Sequence, residues 1–411
     1  MRMKRSTYLL AAAAALLAGA LSAAQWGILN GFKNDVVPQL RAVSVAATVA
    51  GTPTPTVVCH GCIYTVAGSG TQGYGGDNGS ATAVAAELNY PYGVAVDGSG
   101  NIFIADTDNQ VVREVVHATG AITTIAGGGA SYPGDGGPAL SASFSPGGLM
   151  GIAVDGSGNY FVVDENANRV REVLHSTGFI GTVAGSGNTI GGYGGDGDPA
   201  TNAAVLLNGP FDVAVDAGGN LFIADISNNR IREMVAATGD ITTVAGSGSQ
   251  GYGGDGGSAT GAAAKLYAPR AVAVDVSGNI FIADTDNYRI REVVKSTGFI
   301  ATVAGTGVFG DTGDNGPATA AEIGMPDGIA VDASGNIFFA DQSKSVVREV
   351  VKSTGYIITV AGSGTQGYGG DGGPATAAAV ELNWPAGLAI DSAGDLFIAD
   401  SNNHRIREVK P

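Results

Sequence analysis

Aspartates within repeated glycine-rich segments are the most numerous candidates for ligand chemistry in this sequence. In its fullest form the segment reads GYGGDGG, and its carboxylate could join backbone oxygens in coordinating calcium. These aspartates are Asp77, Asp135, Asp196, Asp255, Asp314 and Asp371. Each segment offers one carboxylate, or two where Asp198 or Asp311 is added, so the simpler interpretation is that each aspartate caps its own turn. Calcium stays open as the alternative, and no other cofactor is expected.

A second set of candidates changes from one repeat to the next, as expected of residues that build a single asymmetric site. It stands shortly after a repeated proline and comprises Tyr92, Met150, Phe211, Arg270, Asp327 and Ala386, with Asp212 directly after Phe211. Aromatic rings with a few polar groups are typical of ligand pockets. All of these residues except Ala386 are therefore predicted to line a binding site. The alternative is that they only fill a channel.

A third set consists of charged residues, and the regular spacing of its members indicates a structural role. In every repeat an aspartate stands seven residues before an arginine, and a strand–turn–strand return over that spacing brings the two side chains together. The aspartates are Asp106, Asp164, Asp225, Asp284, Asp341 and Asp400, and the arginines are Arg113, Arg171, Arg232, Arg291, Arg348 and Arg407. Six equal copies cannot define one asymmetric site, so buried ion pairs are the expected role.

Groups that could support catalysis are scarce. The four histidines, His60, His117, His175 and His404, are too scattered in the sequence to converge easily on one zinc ion. The sequence has no GxSxG motif, which would mark a nucleophilic serine. No catalytic residue is predicted.

The two cysteines form one short motif, Cys59-His60-Gly61-Cys62. A haem attachment motif would have a histidine directly after the second cysteine, where Ile63 stands instead. A small disulfide between Cys59 and Cys62 is the favoured interpretation, since an exported chain meets an oxidising environment. A reactive redox pair and a partial metal site are the alternatives.

Six tandem repeats must position all of these residues. The aspartates that end the AVD-type phrases mark the repeat, at intervals of 57 to 61 residues: Asp97, Asp155, Asp216, Asp275, Asp332 and Asp391. Each unit begins with a β-branched strand, which a glycine-rich loop and an alanine-rich piece ending near a proline follow. Two further strands and a final RIREV-type strand come next, separated by turns rich in Gly, Asn and Asp. Four short antiparallel strands in each of six tandem units predict an all-β, six-bladed β-propeller.

The two ends of the repeat region predict how this ring closes. The last unit stops after its third strand, residues 405–409, and lacks a fourth strand of its own. A surplus strand, residues Ile63 to Gly68, precedes the first complete unit. We therefore expect this N-terminal strand to complete the last blade.

The phrases PxGVAVDxxGNIFIAD and NxRIREV resemble the NHL-repeat family of propellers. The GYGGDGGPAT loops and the ITTVAG strand resemble the long-loop variant found in teneurins and in many exported bacterial proteins. The resemblance covers residues 63 to 411 and implies a six-bladed propeller. The family includes enzymes, sensor domains and adhesion modules, so the resemblance alone does not choose an activity.

The remaining segments and the net charge indicate where the protein is located and which partners it can bind. Residues 1–24 have the basic start, apolar run and small-residue end of a signal peptide cleaved after Ala24, and residues 25–62 are expected to form a linker that carries the CxxC motif. A secreted or periplasmic propeller, residues 63–411, is therefore predicted, without a membrane span in the mature protein. The formal net charge of −16 disfavours nucleic acid as a partner. We expect a monomer.

These observations favour an exported, non-catalytic scaffold. It is predicted to recognise a protein, peptide or glycan through the face that carries the long loops, because long connections on a rigid frame are the usual place for binding. The alternative is a metal-dependent hydrolase or lyase, similar to lactonases, acting at the mouth of the central channel.

Overall fold

The structure is a computed structural model that describes residues 59–188 and 190–411. The predicted signal peptide and nearly all of the predicted linker lie outside the described residues. Within the described ranges, no helix combines the length and the apolar character needed to cross a membrane.

Six antiparallel sheets follow one another along the chain, which confirms the predicted six-bladed, all-β propeller. Two sheets have four strands and four have five. The fifth strand is a two-residue segment that directly follows the glycine-rich loop and pairs with the outer strand of its own blade. These short strands are Gly79–Ser80, Gly137–Pro138, Gly257–Ser258 and Gly316–Pro317.

The innermost strand of each blade lines the central channel, and each contacts the innermost strands of both neighbouring blades. These strands are Pro91–Val96, Leu149–Val154, Pro210–Val215, Pro269–Val274, Pro326–Val331 and Pro385–Ile390. Five begin at the repeated proline, whose missing N–H is harmless at the first residue of a strand. The second blade departs from this pattern, because its strand begins three residues after Pro146.

The second strand is the most buried element of each blade. Its hydrophobic run of Ile, Leu, Phe and Val is continuous rather than alternating, as expected where both faces of a sheet are covered by neighbouring blades. These strands are Ile102–Asp106, Tyr160–Asp164, Leu221–Asp225, Ile280–Asp284, Ile337–Asp341 and Leu396–Asp400. Each ends in a fully buried aspartate.

A single turn of 3₁₀ helix connects each second strand to the third strand. These turns are Thr107–Asn109, Glu165–Ala167, Ile226–Asn228, Thr285–Asn287, Gln342–Lys344 and Ser401–Asn403. The third strands are Val111–Val116, Arg169–Leu174, Arg230–Met234, Arg289–Val294, Val346–Val351 and Arg405–Val409. Two further 3₁₀ turns, Ala139–Ser141 and Ala318–Ala320, directly follow the short strands of the second and fifth blades.

The outer strands complete the blades. Five follow the third strand of their own repeat: Ala121–Gly127, Phe179–Ala184, Ile241–Ala245, Phe299–Ala304 and Tyr356–Ala361. In the last blade the outer strand is Ile63–Ala67, which pairs antiparallel with Arg405–Val409 and joins Ile63 to Val409 and Thr65 to Arg407. Side chains also pack across this last boundary, where Phe397 and Ile406 share a core cluster with Leu88 and Ile104 of the first blade.

Glycines permit the close approach of neighbouring innermost strands near one end of the channel. A Cβ on Gly328 would stand 2.1 Å from the backbone oxygen of Ala386, and one on Gly387 would stand 2.6 Å from that of Tyr92. Such contacts are too short for any side chain, so these positions require glycine because of the distance between blades. The channel mouth is therefore narrow, and the side chains next to these glycines meet across it.

Candidate binding site at the channel mouth

Four side chains from four different blades converge at the end of the channel where the innermost strands begin. Each is the second residue of its strand: Tyr92, Phe211, Arg270 and Asp327. The Tyr92 hydroxyl donates a hydrogen bond to Asp327 Oδ2, and Arg270 Nη1 lies 3.2 Å from Asp327 Oδ1. A 3₁₀ turn of the same blade supplies Gln342, whose amide also donates to Oδ2. The Asp327 carboxylate thus binds residues up to 235 positions away along the chain.

The aromatic residues of the set pack against this polar network. The rings of Tyr92 and Phe211 meet edge to face with centroids 5.1 Å apart. The Arg270 guanidinium carbon lies 5.6 Å from the centre of the Phe211 ring, within the range of a cation–π contact. The mouth therefore combines a buried carboxylate, a partly exposed cation and two aromatic rings.

Burial dominates the protonation behaviour of the network. Asp327 is only 2% exposed, and this burial raises the pKa of its carboxyl, while Arg270, Tyr92 and Gln342 oppose the rise. Burial also raises the pKa of the Tyr92 hydroxyl well above 10, with the Asp327 charge adding to the effect. Tyr92 therefore remains a hydrogen-bond donor at neutral pH, and Arg270 balances the charge of Asp327.

Asp212 lines the channel one position further in and ties two blades together. Its Oδ2 accepts a hydrogen bond from the backbone N–H of Val272, 3.1 Å away on the next innermost strand. It faces Gly151 of the preceding blade, where a Cβ would stand 2.2 Å from Asp212 Oδ1. Burial between the strands raises the pKa of Asp212 to about 7, although the Val272 and Val213 N–H groups favour the charged form. At neutral pH this carboxyl is thus partly protonated.

The two remaining members of the set contribute no polar group to the mouth. Met150 is partly buried against the core cluster between the second and third blades, and Ala386 is fully buried. Of the predicted site residues, Tyr92, Phe211, Arg270 and Asp327 are thus in mutual contact and Asp212 lies nearby, while Met150 packs to one side.

Several residues at the mouth were not singled out from the sequence. Besides Gln342, they include Glu165 and Asp286 in the 3₁₀ turns, and Tyr90 and Trp384 directly before the innermost strands. Glu165 and Asp286 could have been found as acidic residues in turns whose counterparts in the third, fifth and sixth repeats carry no acid. Trp384 could have been found as an isolated tryptophan beside a repeated proline.

Behind the mouth the channel forms a cavity of about 210 Å³. Its far end is aliphatic, because the innermost strands finish in valine or isoleucine, as with Val96, Val274 and Ile390. The polar and charged side chains are therefore concentrated at one end, on the same face as the long glycine-rich loops.

The repeated aspartates of the glycine-rich loops do not chiefly cap their own turns, so that interpretation was wrong. Each carboxylate instead pairs with the buried arginine of its blade's third strand, 34 or 36 residues further along the chain. The pairs are Asp77–Arg113, Asp135–Arg171, Asp196–Arg232, Asp255–Arg291, Asp314–Arg348 and Asp371–Arg407. Because every copy makes the same contact, these aspartates hold the loops onto the blades.

The same arginines also reach the aspartate at the end of the second strand in four blades. These pairs are Asp106–Arg113, Asp225–Arg232, Asp284–Arg291 and Asp400–Arg407, with N–O distances from 3.1 to 3.5 Å. In the other two blades no such pair forms among the described residues, and a serine hydroxyl donates to the aspartate instead: Ser145 to Asp164 and Ser343 to Asp341. The predicted ion pair therefore forms in four of the six units.

Metal ligands are sparse in this arrangement. Across residues 59–188 and 190–411, no three His, Cys, Asp or Glu side chains come together in a way that could hold a metal ion. In the loops, Arg113 and its counterparts occupy one oxygen of each carboxylate. Calcium at these loops stays a prediction.

The buried aspartates at the ends of the second strands make stability depend on pH. Burial raises the pKa of Asp106, Asp225, Asp284, Asp341 and Asp400 from 3.8 to about 6, and their hydrogen-bond donors only partly oppose it. A raised pKa means that the folded chain binds protons that the unfolded chain releases, so stability is lost as pH rises through about 6. We expect the melting temperature to be higher at pH 5 than at pH 7.5, as measured by circular dichroism.

A matched variant tests the origin of this dependence. Asp106→Asn removes one of the titrating carboxyls, so its melting temperature should change less between pH 7.5 and pH 5 than that of the parent chain. Asp196 and Asp255 have lowered pKa values and titrate below this window, so they do not mask the effect. A melting temperature that falls steadily from pH 7.5 to pH 5 would show that the buried aspartates are charged in the fold throughout.

The cysteine motif lies where the two ends of the propeller meet. Cys59 and Cys62 are joined by a disulfide. The Gly61 N–H donates to the Lys410 carbonyl, and the Lys410 N–H donates to the Cys62 carbonyl. His60 Nδ1 lies 2.7 Å from the backbone oxygen of Pro411. The disulfide therefore braces the turn that leads into the closing strand.

Comparison with known proteins places this arrangement among related chains. The NHL repeat family model matches residues 382–408, in the last blade. The Arabidopsis thaliana protein SUPPRESSOR OF QUENCHING 1, chloroplastic, is 27% identical over 78% of the chain, and mouse teneurin-4 is 34% identical over 33% of it. The chain spans 30% and 6% of the length of these two relatives, respectively.

A solved structure shares the fold at low sequence identity. It is described as an auxiliary nutrient binding protein from Bacteroides ovatus, is 16% identical and superposes with a TM-score of 0.58. The match covers 85% of this chain and 76% of that one. At this identity the similarity concerns the fold.

Proposed function

We propose that this chain, an NHL-repeat six-bladed β-propeller, is a non-catalytic binding scaffold whose ligand, a protein, peptide or glycan, docks on the loop-rich face over the channel mouth. The observation that carries the proposal is the convergence of Tyr92, Phe211, Arg270 and Asp327 from four blades. These positions differ between repeats, whereas the strand phrases around them, such as the IFIAD and RIREV types, are largely repeated. Side chains that vary between otherwise similar repeats are not needed for the repeated structure, so they can contribute to ligand binding.

The chemistry at the mouth supports binding rather than turnover. A general base needs a carboxylate that can accept a proton from substrate, but Asp327 already accepts hydrogen bonds from three side chains and is almost fully buried. The partly exposed groups are instead the Phe211 ring and the Arg270 guanidinium, which suit recognition. The fold similarity to auxiliary nutrient binding proteins is consistent with this role.

Export is part of the proposal. The basic start and apolar run of residues 1–24 have the pattern of a signal peptide, and the Cys59–Cys62 disulfide suits an oxidising compartment. The net charge of −16 further favours ligands other than nucleic acid.

Arrays of peptides and oligosaccharides, probed with the labelled full chain, test the proposal. We expect the parent chain to bind a subset of either array, and Phe211→Ala or Arg270→Gln to lose at least about tenfold in affinity, equivalent to ~1.4 kcal/mol. Glu172→Gln is the matched control, because Glu172 lies near the turn at Asp155 on the opposite face. Binding that survives both mouth substitutions but is lost in the control variant would place the site on the other face and overturn the proposal.

A further inference from the structure

We propose that the second blade binds one buried water molecule, which bridges Asp164 and Arg171 and takes the place of an asparagine amide found in other blades. This site is separate from the channel mouth and does not depend on the proposed function. The inference follows from equivalent positions in the six blades. Within the described part of the chain, only the second blade leaves both its second-strand aspartate and its buried arginine with atoms of this kind unpaired.

In four blades an asparagine holds the buried aspartate that ends the second strand. Its side-chain amide donates to the aspartate Oδ2 at 2.8 Å and to a carbonyl of the glycine-rich loop at 2.5 to 2.8 Å. The same Oδ2 also lies near the buried arginine of the blade, so it has two donors. These asparagines are Asn109, Asn228, Asn287 and Asn403.

The second blade has Ala167 at the asparagine position. Its backbone follows that of the other blades, with a 3₁₀ turn at Glu165–Ala167 and a left-handed residue, Asn168, directly after it. Asp164 Oδ1 accepts hydrogen bonds from the Ser145 hydroxyl and N–H, but among the described residues Asp164 Oδ2 has no partner. A methyl group thus stands where four other blades place a donor amide.

Arg171 leaves a complementary atom unpaired in the same blade. Its Nη2 contacts Asp135 and the Pro133 carbonyl, whereas Nη1 has no acceptor within the described ranges. In the other five blades the equivalent Nη1 donates to a backbone carbonyl 26 residues earlier, at 2.9 to 3.5 Å. Phe144 lies 5.8 Å from the Arg171 guanidinium carbon and offers no acceptor. Both Asp164 and Arg171 are fully buried, so bulk solvent does not reach them.

The fifth blade also lacks the asparagine, yet it satisfies both groups with protein atoms. Lys344 stands at the asparagine position, and the Gly324 N–H donates to Asp341 Oδ2 at 2.7 Å. Arg348 Nη1 donates to the Glu322 carbonyl at 2.9 Å. Loss of the asparagine is therefore not sufficient to leave these atoms unpaired, and the second blade is distinct in this respect.

Water suits this pair of groups better than an ion does. A buried acceptor without a donor and a buried donor without an acceptor both cost free energy, and one water can donate to Asp164 Oδ2 while it accepts from Arg171 Nη1. A cation would place a second positive charge beside Arg171. An anion would place a further negative charge beside Asp164 and Asp135, and like charges in buried surroundings are costly.

A loop carbonyl is available as a third partner. Ser131 directly precedes the loop tyrosine of the second blade, at the position whose carbonyl accepts from the asparagine amide in the other blades. The Ser131 carbonyl accepts one hydrogen bond, from the Ser143 N–H at 3.0 Å, and keeps a second lone pair. Two to four polar partners are usual for a buried water, so the site has the donors and acceptors that such a molecule needs.

A crystal structure of the full chain at about 1.5 Å resolution tests the site directly. We expect a water peak within about 3.2 Å of both Asp164 Oδ2 and Arg171 Nη1. Asn228→Ala is the matched variant, because it makes the same change in the third blade, and it should add a water peak beside Asp225 Oδ2. Direct contact between Asp164 and Arg171 with no peak between them, or an anomalous signal from an ion at this position, would overturn the proposal.

Two substitutions at Ala167 test the site in solution through the melting temperature. Ala167→Asn supplies the missing donor and releases the ordered water, so it should raise the melting temperature by roughly 1–3 °C. Ala167→Val occupies the same space without a donor and should lower the melting temperature by at least about 2 °C. A rise with valine would indicate a dry apolar space, and a fall with asparagine would indicate that no space for a water exists. Either result, or no change with both variants, would contradict the inferred water.

Discussion

Deletion of residues 63–68 is expected to give either an aggregated chain or a melting temperature lower by roughly 10 °C or more. The segment contributes the outer strand of the last blade, and its removal exposes the backbone edge of Arg405–Val409. It also removes Ile63, one of the largest fully buried side chains, and the backbone bond from Gly372 to the Ile63 carbonyl. A free strand edge is a template for pairing with other chains, so aggregation is the expected outcome at high protein concentration.

Two further variants separate closure from a general effect of truncation. Deletion of residues 53–58 has the same length but leaves the disulfide and the closing strand in place, and it should leave the melting temperature within about 2 °C of the parent value. Ile63→Ala keeps the strand and should cost about 2–5 kcal/mol, because it opens a cavity in the core cluster between the fifth and last blades. An unchanged melting temperature after deletion of residues 63–68 would mean that this strand pairing does not stabilise the ring.

Local patterns were sufficient to predict the frame of the molecule. Phrases such as LFIAD and RIREV encode strands through continuous or alternating apolar residues, and glycine, asparagine and aspartate mark the turns between them. Six copies of such a four-stranded unit at a nearly constant interval then predict a six-bladed propeller. The innermost strand of the second blade begins three residues after Pro146, and this was not predictable because it depends on how the loop before that strand packs in the fold.

Contacts between distant residues were less predictable. Asp77 and Arg113 are 36 positions apart, and only the folding of the glycine-rich loop back onto its own blade brings them together. The meeting of Tyr92 with Asp327 depends on ring closure and on the narrowness of the mouth, neither of which is encoded in any short motif. Position in the repeat could indicate which residues lie near the channel. It could not show that Met150 packs against the core while Gln342 reaches the buried carboxylate.

The buried arginines are expected to be the largest single-residue contributors to stability. Arg291 is fully buried, and its guanidinium contacts the carboxylates of Asp255 and Asp284 and the Gly253 carbonyl. Arg291→Met should destabilise the chain by about 3–5 kcal/mol, because it leaves a fully buried carboxylate and a loop carboxylate without their shared cation. Chemical denaturation at pH 7.5 measures this change in the free energy of unfolding.

A nearby arginine provides the matched control and isolates the role of charge burial. Arg289→Met, two residues earlier, removes a half-buried guanidinium that stacks 3.7 Å from the Tyr252 ring, and it should cost only about 1 kcal/mol. In Arg291→Met the raised pKa of Asp284 should rise further, since the opposing charge is gone, so the deficit should shrink as pH falls from 7.5 to 5. Adding Asp255→Asn and Asp284→Asn to Arg291→Met should recover part of the lost stability. Equal costs for the two arginine variants, or a deficit independent of pH, would mean that the repeated arginines act through packing rather than through the carboxylates that they join.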